Sequence, residues 1–130
     1  MSIAQFDTLS DRTGSVSVPV NTVVNGSAKA WVNFNGTGTV AIRASFNVAS
    51  ITDNGTGDYT INFTTALPDT NYSLAGECSI GVAGNTAVYA LKLETLANKL
   101  TSSVRVLTNF ASGGSANLVD VPEVSVAVFR

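Results

Sequence analysis

The side chains of this sequence that could take part in chemistry are one cysteine, one tryptophan and nine acidic residues. The sequence contains no histidine. Histidine is the usual catalytic base and the commonest metal ligand, so its absence excludes Ser-His-Asp and Cys-His hydrolases and most zinc and non-haem iron sites. Cys78 lies among alternating apolar residues, which indicates a buried small hydrophobe and not a nucleophile. We therefore predict no catalytic residue, no metal site and no cofactor.

The acidic residues offer two further kinds of site. Asp53, Asn54 and Asp58 carry oxygen ligands of the type that calcium prefers, but their spacing does not match an EF-hand loop. Asn54 precedes a glycine, and Asn-Gly is the preferred pair for a tight hairpin turn, so we predict a turn here. A glycosidase would need two carboxylates flanking a sugar bond, whereas the acidic residues lie mostly in predicted turns or near the chain ends.

Trp31 is the remaining candidate, and the sequence leaves its role open. It lies on the opposite strand face from Ala30, Val32 and Phe34. In that position an aromatic side chain could stack on a sugar ring or fill a subunit interface. The alternative is a core residue on a strand that is covered on both faces.

The elements that must position these residues are short strands. Residues 28–72 show a sustained two-residue alternation broken by turn signals, and about eight such strands occur over residues 28–130. This spacing predicts an all-β fold, an antiparallel β-sandwich or jelly-roll-like domain. Further expectations are hairpin turns at Asn35-Gly36 and Asn54-Gly55, a bulge near Ala49-Ser50, surface loops at 81–85 and 111–116, and, as an alternative, a short helix within 93–100.

Residues 1–27 differ from the rest and are predicted to form an extended N-terminal arm ahead of the sandwich domain at 28–130. Two weak strand signals flank a turn at Asp11-Gly14, and Pro19 restricts the second strand to an edge. The arm has too few bulky residues for a core, so we expect it to dock on this domain, on a neighbouring copy or on a larger particle. A first edge strand of the same sandwich is the alternative. The predicted assembly-interface residues are Ile3, Phe6, Leu9, Val16, Val18 and Trp31.

The amino-acid composition limits the kinds of partner that this protein could bind. Charged residues make up 12% of the chain, against roughly 25% in an average domain, which suits a surface partly covered by other subunits. The net charge of −2 provides no basic stripe for nucleic acid. No secretory signal and no apolar run near the ~18 residues of a membrane span are present. We expect a soluble protein made in the cytoplasm, with no nucleic-acid partner and no membrane insertion.

Five segments carry a resemblance to known proteins: QFDTLSDRTGSVSVPV (5–20), KAWVNFNGTG (29–38), SITDNGTGDYTINF (50–63), LPDTNY (67–72) and VSVAVFR (124–130). They resemble a module of tailed-bacteriophage virion proteins, namely tail-fibre, head-fibre or decoration-type appendage proteins of marine and environmental phages. The resemblance covers nearly the whole chain and is loose over residues 75–120.

This resemblance implies a virion structural protein without catalytic residues, made in the host cytoplasm and located on the virion. The first interpretation is a surface appendage, a short fibre or fibre tip, whose partners are other virion proteins of the capsid or tail and a host surface glycan or protein. The implied assembly is a homotrimer with the arm as anchor or intersubunit strand. The alternative is a capsid head-decoration or cement protein without a receptor role. From another class, the alternative is a glycan-degrading tailspike-like enzyme.

Overall fold

The computed structural model describes residue 3 and residues 5–82, 87–112 and 115–130. In chain order, the elements are β1 (Thr8–Ser10), β2 (Ser17–Pro19), α1 (Val20–Gly26), β3 (Ala28–Asn35), β4 (Ala41–Phe46), β5 (Val48–Gly55), β6 (Asp58–Phe63), β7 (Ser73–Ser79), β8 (Val88–Leu93), a 3₁₀ helix (Leu96–Asn98), β9 (Ser103–Ser112), β10 (Ser115–Leu118) and β11 (Glu123–Phe129).

The strands of the described residues form three antiparallel sheets. The first is the β1–β2 hairpin, which together with α1 makes up the N-terminal arm. Sheet I has the order β4-β3-β11-β7. Sheet II has the order β5-β6-β9-β8, and β10 pairs with β9 beyond the end of β6. The two sheets make up the body.

The body is a sandwich because alternate side chains of both sheets meet in one core. In β3, Ala30, Val32 and Phe34 are buried, while Lys29 and Trp31 are not. This is the pattern of a strand with one covered face. The predicted all-β sandwich is confirmed. Its core consists of residues from both sheets and from the connections between them: Ala30, Val32, Phe34, Val48, Tyr59, Ile61, Phe63, Leu67, Tyr72, Val104, Val106, Val121, Val124, Val126 and Val128.

The chain passes from sheet I to sheet II at Asn47. This residue has a positive φ of 54°, which asparagine tolerates better than most residues. Its side chain accepts a hydrogen bond from the Thr65 backbone N–H at 2.7 Å and donates one to the Lys29 carbonyl at 3.0 Å. The register of β5 against β6 then shifts between Val48 and Ser50. The predicted bulge near Ala49-Ser50 is confirmed.

Turns that are far apart in the sequence meet at a buried tyrosine. The Tyr59 hydroxyl lies 2.9 Å from the Gly36 carbonyl and 2.9 Å from Oδ1 of Asp120, and it donates its single proton to one of them at a time. The same Asp120 oxygen accepts a hydrogen bond from the Gly57 backbone N–H at 2.7 Å. We call Gly36, Gly57, Tyr59 and Asp120 the turn node. Burial, together with the Asp120 carboxylate, raises the pKa of Tyr59 well above its ordinary value, so the hydroxyl keeps its proton.

Strand β4 departs from expectation. Its sequence has the cleanest alternation in the chain, yet all six of its residues are exposed. β4 is an edge strand of sheet I, and its alternation is interrupted: the β3–β4 register shifts between Asn33 and Phe34, which leaves Arg43 as an extra residue on β4. Ile42 therefore pairs with Phe34 of the core face, whereas Phe46 pairs with Trp31 of the opposite face. The bulge therefore places Ile42 and Phe46 on opposite faces of sheet I, whereas a regular strand would have placed them on the same face.

Two loop expectations meet different outcomes. The prediction of a loop at 111–116 is wrong for residues 111–112 and 115–116. Ala111 pairs with Ala116 and Ser112 with Ser115 in the β9–β10 hairpin. Residues 113–114 of that loop and residues 83–85 of the loop expected at 81–85 lie outside the described residues. The helix alternative within 93–100 reduces to the 3₁₀ helix, whose first backbone groups are capped by the Thr95 hydroxyl.

The arm also differs from the extended segment that was predicted. β1 and β2 pair only with each other among the described strands, so the arm is not an edge strand of the sandwich. The turn predicted at residues 11–14 is confirmed by the positive φ of Gly14 and by two backbone hydrogen bonds, from the Asp11 N–H to the Val16 carbonyl and from the Gly14 N–H to the Asp11 carbonyl. Helix α1 was not predicted, since three of its residues are valines, which favour strands.

Candidate functional site

The arm carries five of the six predicted interface residues, and the structure leaves most of their apolar surface in solvent. Ile3 is 77% exposed, Phe6 65%, Leu9 46% and Val16 70%, while Val18 is half-buried. Leu9 and Val18 are paired across the hairpin, so the structure brings these two together. Apolar side chains gathered on one short segment are typical of a surface that is covered by a partner.

Helix α1 adds apolar surface that the sequence patterns did not reveal. Val23 is 41% exposed and Val24 52% exposed, and no residue of the helix is buried. Phe6 and Val24 line the same shallow concavity between the hairpin and the helix. The arm therefore presents a larger apolar area than the predicted interface residues alone. A valine-rich stretch after a proline gave no signal by which this helix could have been found.

The hairpin turn of the arm is held by its own polar contacts. Asp11 accepts hydrogen bonds from the Thr13 hydroxyl at 2.6 Å and from the Val16 backbone N–H at 3.1 Å. These contacts lower the pKa of Asp11 below its ordinary value. The turn is thus locally ordered, although nothing covers the apolar side chains beside it in the described structure.

Trp31, the sixth predicted interface residue, lies in the body on the outer face of sheet I. It is 40% exposed, so the interpretation as a core residue covered on both faces is wrong. The strand registers place Trp31 in a row that crosses the whole sheet. We call this the apolar row; its members, from β4 to β7, are Phe46, Trp31, Ala127 and Ala75.

A second row lies two residues away along the strands and is polar. Its members are Asn33, Ser125 and Glu77, and we call it the polar row. The Asn33 amide donates a hydrogen bond to the Ser125 hydroxyl at 2.8 Å and another to the Glu123 carboxylate. Arg43 in turn pairs with Glu123 at 2.8 Å. The amide of Asn33 is therefore fixed in orientation by its neighbours.

Glu77 differs from the other members of the polar row, since no hydrogen bond or ion pair engages its carboxylate within the described part of the chain. It stands at the end of a shallow trough of about 430 Å³ on this face. The small side chains of Ala75 and Ala127 form the base of the trough, with Trp31 at its other end. The strand order that creates this trough joins β3, β11 and β7, which are distant in sequence, so sequence patterns could not reveal it.

A second concave area of about 500 Å³ opens between β7 and β8, the edge strands of the two sheets. Leu74, Leu91 and Leu93 contribute its apolar lining. The Lys99 ammonium lies 4.6 Å from the centre of the Tyr72 ring at this opening, a cation–π contact. The lysine is therefore already engaged with the protein.

The other residues with chemical potential have structural partners. Asp58 forms a bidentate pair with Arg105, at 2.7 Å and 2.5 Å, which lowers the pKa of the carboxyl group. Asp53 accepts a hydrogen bond from the Gly55 backbone N–H at 2.9 Å, as in the predicted hairpin turn. Burial, and then the charge of Glu77, raises the pKa of the Cys78 thiol, which disfavours the thiolate.

Two kinds of site are absent from the described residues. No group of three or more cysteine, aspartate or glutamate side chains is arranged to hold a metal ion in that part of the chain. Among the described helices, none combines the length and the apolar character needed to cross a membrane.

Comparison with known proteins adds no relative: no family model, no curated protein and no solved structure matches this chain. The class that the structure itself defines is an all-β sandwich with an N-terminal arm.

Proposed function

We propose that this chain is a structural protein of a phage virion, a surface appendage of the short-fibre or fibre-tip type. It assembles through its N-terminal arm into a homotrimer attached to capsid or tail proteins, and it presents the sandwich to the host surface. It has no catalytic activity of its own. The sequence resemblance over residues 5–72 and 124–130 supports the virion assignment.

The observation that carries the proposal is the exposed apolar arm. A hairpin of three-residue strands has no second layer to bury its side chains and is marginal by itself. Exposed Phe6 and Val16 therefore favour a role in which the arm is covered by a neighbouring subunit or by the particle.

The sheet edges supply a place where such an arm could bind. β4 is an edge strand of sheet I, and each of its residues is exposed. An open edge presents unpaired backbone N–H and C=O groups, to which an additional strand can pair. This favours the arm as an intersubunit strand.

The ion pairs of the body favour a non-enzymatic role. A glycosidase of the tailspike kind needs a carboxylic acid whose pKa is raised, so that it can protonate the leaving group. The arginine contacts of Asp58 and Asp69 act in the opposite direction: Arg105 lowers the pKa of Asp58, and Arg130 lowers that of Asp69 to about 2. Incubation with host capsular polysaccharide and a reducing-end assay checks this point, and release of product would overturn it.

Cryo-electron microscopy of purified particles from a phage that encodes the chain tests the proposal. We expect trimeric density for the protein on the particle surface; its absence from the particles would contradict the proposal. Density at the tail supports the appendage, whereas density at capsid lattice points supports the decoration or cement alternative. A phage carrying Phe6→Ser with Val16→Ser should lose the protein from its particles, while one carrying Trp31→Ala should retain it.

A further inference from the structure

The apolar row and the polar row on the outer face of sheet I have features that the stability of the fold does not explain. Trp31 is the sole tryptophan of the sequence and is 40% exposed, although burial of an indole would stabilise the body. Phe46, beside it, is 55% exposed. Among the described aromatic contacts, Trp31 makes no ring pair. The indole is therefore free to contact a ligand.

The shape of this face suits a ligand made of a few small rings in a row. The trough beside Trp31 has a volume of about 430 Å³, within the size range of small-molecule sites. Ala127 and Ala75 keep its base flat, where larger residues would have filled it. The apolar row crosses the four strands of sheet I. With strands about 4.8 Å apart, it is roughly 14 Å long, enough for a short oligomer.

The polar row supplies hydrogen-bonding groups at a fixed offset from the apolar row. Residues two positions apart on a strand are separated by roughly 6.7 Å. A ligand that rests one ring on Trp31 and extends along the apolar row towards β7 thus has Ser125 and Glu77 along its edge. Asn33 is oriented by its contacts with Ser125 and Glu123, so little ordering is required when a ligand binds. A ligand with an apolar ring face and hydroxyl groups on its rim fits both rows.

The charge of Glu77 favours neutral ligands over anionic ones. The Glu77 carboxylate faces the trough without a partner in the described structure, so it accepts hydrogen bonds from hydroxyl groups and repels anions. It also disfavours a flat protein partner, because burial of an unpaired carboxylate against protein is costly. A neutral sugar leaves water access to the carboxylate while donating hydroxyl protons to it.

We propose that the trough between Trp31 and Glu77 binds a neutral glycan, with one sugar ring against the indole and the hydroxyl groups of the neighbouring rings on Ser125 and Glu77. The identification of this ligand as a host-surface glycan rests on the proposed function, whereas the binding site rests on the geometry of sheet I. The arm takes no part in the site.

Fluorescence titration of the full chain tests the site directly, because its signal comes from a single tryptophan. The probes are maltotriose, cellotriose, mannotriose, raffinose and chitotriose, with trigalacturonate as an acidic probe of matched size. We expect at least one neutral probe to shift the emission of Trp31 in a saturable manner, and trigalacturonate to bind at least tenfold more weakly. No saturable shift with any neutral probe at millimolar concentration, or equal binding of trigalacturonate, would overturn the proposal.

Variants locate the site by isothermal titration calorimetry with the neutral probe that binds. Trp31→Ala should reduce affinity at least tenfold, and Glu77→Gln severalfold. The control is Val88→Ser on sheet II, an apolar position that is 66% exposed and that should leave affinity unchanged. Unchanged affinity in Trp31→Ala, or a change of its oligomeric state, would show that the face is not a glycan site.

The outcomes separate this proposal from the proposed function. If the glycan site is absent, the protein still appears on virions and Phe6→Ser with Val16→Ser still removes it. If the arm does not drive assembly, those arm substitutions change nothing, while glycan affinity still falls in Trp31→Ala.

Discussion

Most valine side chains of the body are buried, whereas most of those in the arm are exposed. In the body, Val32, Val124 and Val128 are at most 1% exposed, whereas in the arm Val16 is 70% and Val24 52% exposed. The body has two sheets whose alternating faces cover each other, while the arm has one short hairpin and one short helix. The body therefore has two layers that bury most of its valines, whereas the arm has no second layer to cover its own within the described structure.

The largest contrast between the two regions should come from alanine at two glycines of similar backbone conformation. Gly57 has φ +63°, and a Cβ atom there would lie 2.5 Å from the Thr108 carbonyl and 2.6 Å from the Val119 nitrogen. Overpacking against backbone and the left-handed strain together predict that Gly57→Ala lowers the free energy of unfolding by about 3 kcal/mol or more. Urea denaturation measures this loss.

The matched substitution in the arm is Gly14→Ala. Gly14 has φ +72°, but no atom lies within 4 Å of the position of a new Cβ atom. We expect a change of less than about 1 kcal/mol in the unfolding of the body, since the hairpin is not part of the sandwich. Equal destabilisation by the two substitutions would mean that the arm and the body fold as one unit.

A smaller effect is expected at the centre of the turn node. Tyr59→Phe removes the hydroxyl that contacts Gly36 and Asp120, and it leaves a buried acceptor without its donor. This should cost about 1–3 kcal/mol. Tyr89→Phe is the control, because the Tyr89 hydroxyl has no hydrogen bond in the described structure and its loss should be neutral. A neutral Tyr59→Phe would show that the node does not hold the turns together.

Alkaline pH should reveal the buried tyrosines of the body. Burial raises the pKa of Tyr72 from 10.0 to about 12. Because the folded chain holds this proton more tightly than the unfolded chain, the stabilisation is complete below pH 10 and is lost as the pH rises towards 12. The loss attributable to Tyr72 is about 1–3 kcal/mol. Urea midpoints measured across this range should fall less steeply in Tyr72→Phe than in the parent chain; identical slopes would contradict the assignment.

The smallest effect on stability is expected in the arm itself. Phe6→Ser and Val16→Ser replace side chains that are 65% and 70% exposed, so each should change the free energy of unfolding of the body by less than about 0.5 kcal/mol. Thermal unfolding at low protein concentration, where self-association is weak, measures this. A loss comparable to that of Tyr59→Phe would show that the arm packs on the body.

Much of the body could be predicted from sequence because its signals are local. Alternation identified the buried faces of β3, β6 and β11, and the glycine-rich turns after β3 and β5 were also recognised. The phase slip after Val48 predicted a bulge that the structure contains. These features depend on neighbouring residues and on turn chemistry, which the sequence displays directly.

What could not be predicted depends on contacts between distant segments. The placement of Ile42 and Phe46 on opposite faces follows from a bulge at Arg43, and the alternation of the sequence shows no break there. The trough requires β11 to lie between β3 and β7, so that Ala127 comes beside Trp31. The part that Glu77 plays in the polar row could not be predicted either, because it depends on strand order and register.

The central claim is that the arm assembles the protein and the body folds without it. Multi-angle light scattering of the full chain at micromolar concentration tests this claim most directly, with Phe6→Ser plus Val16→Ser as the matched variant. We predict the mass of a trimer for the parent chain and of a single folded chain for the variant. A monomeric parent chain, or a trimer in both, would contradict the account.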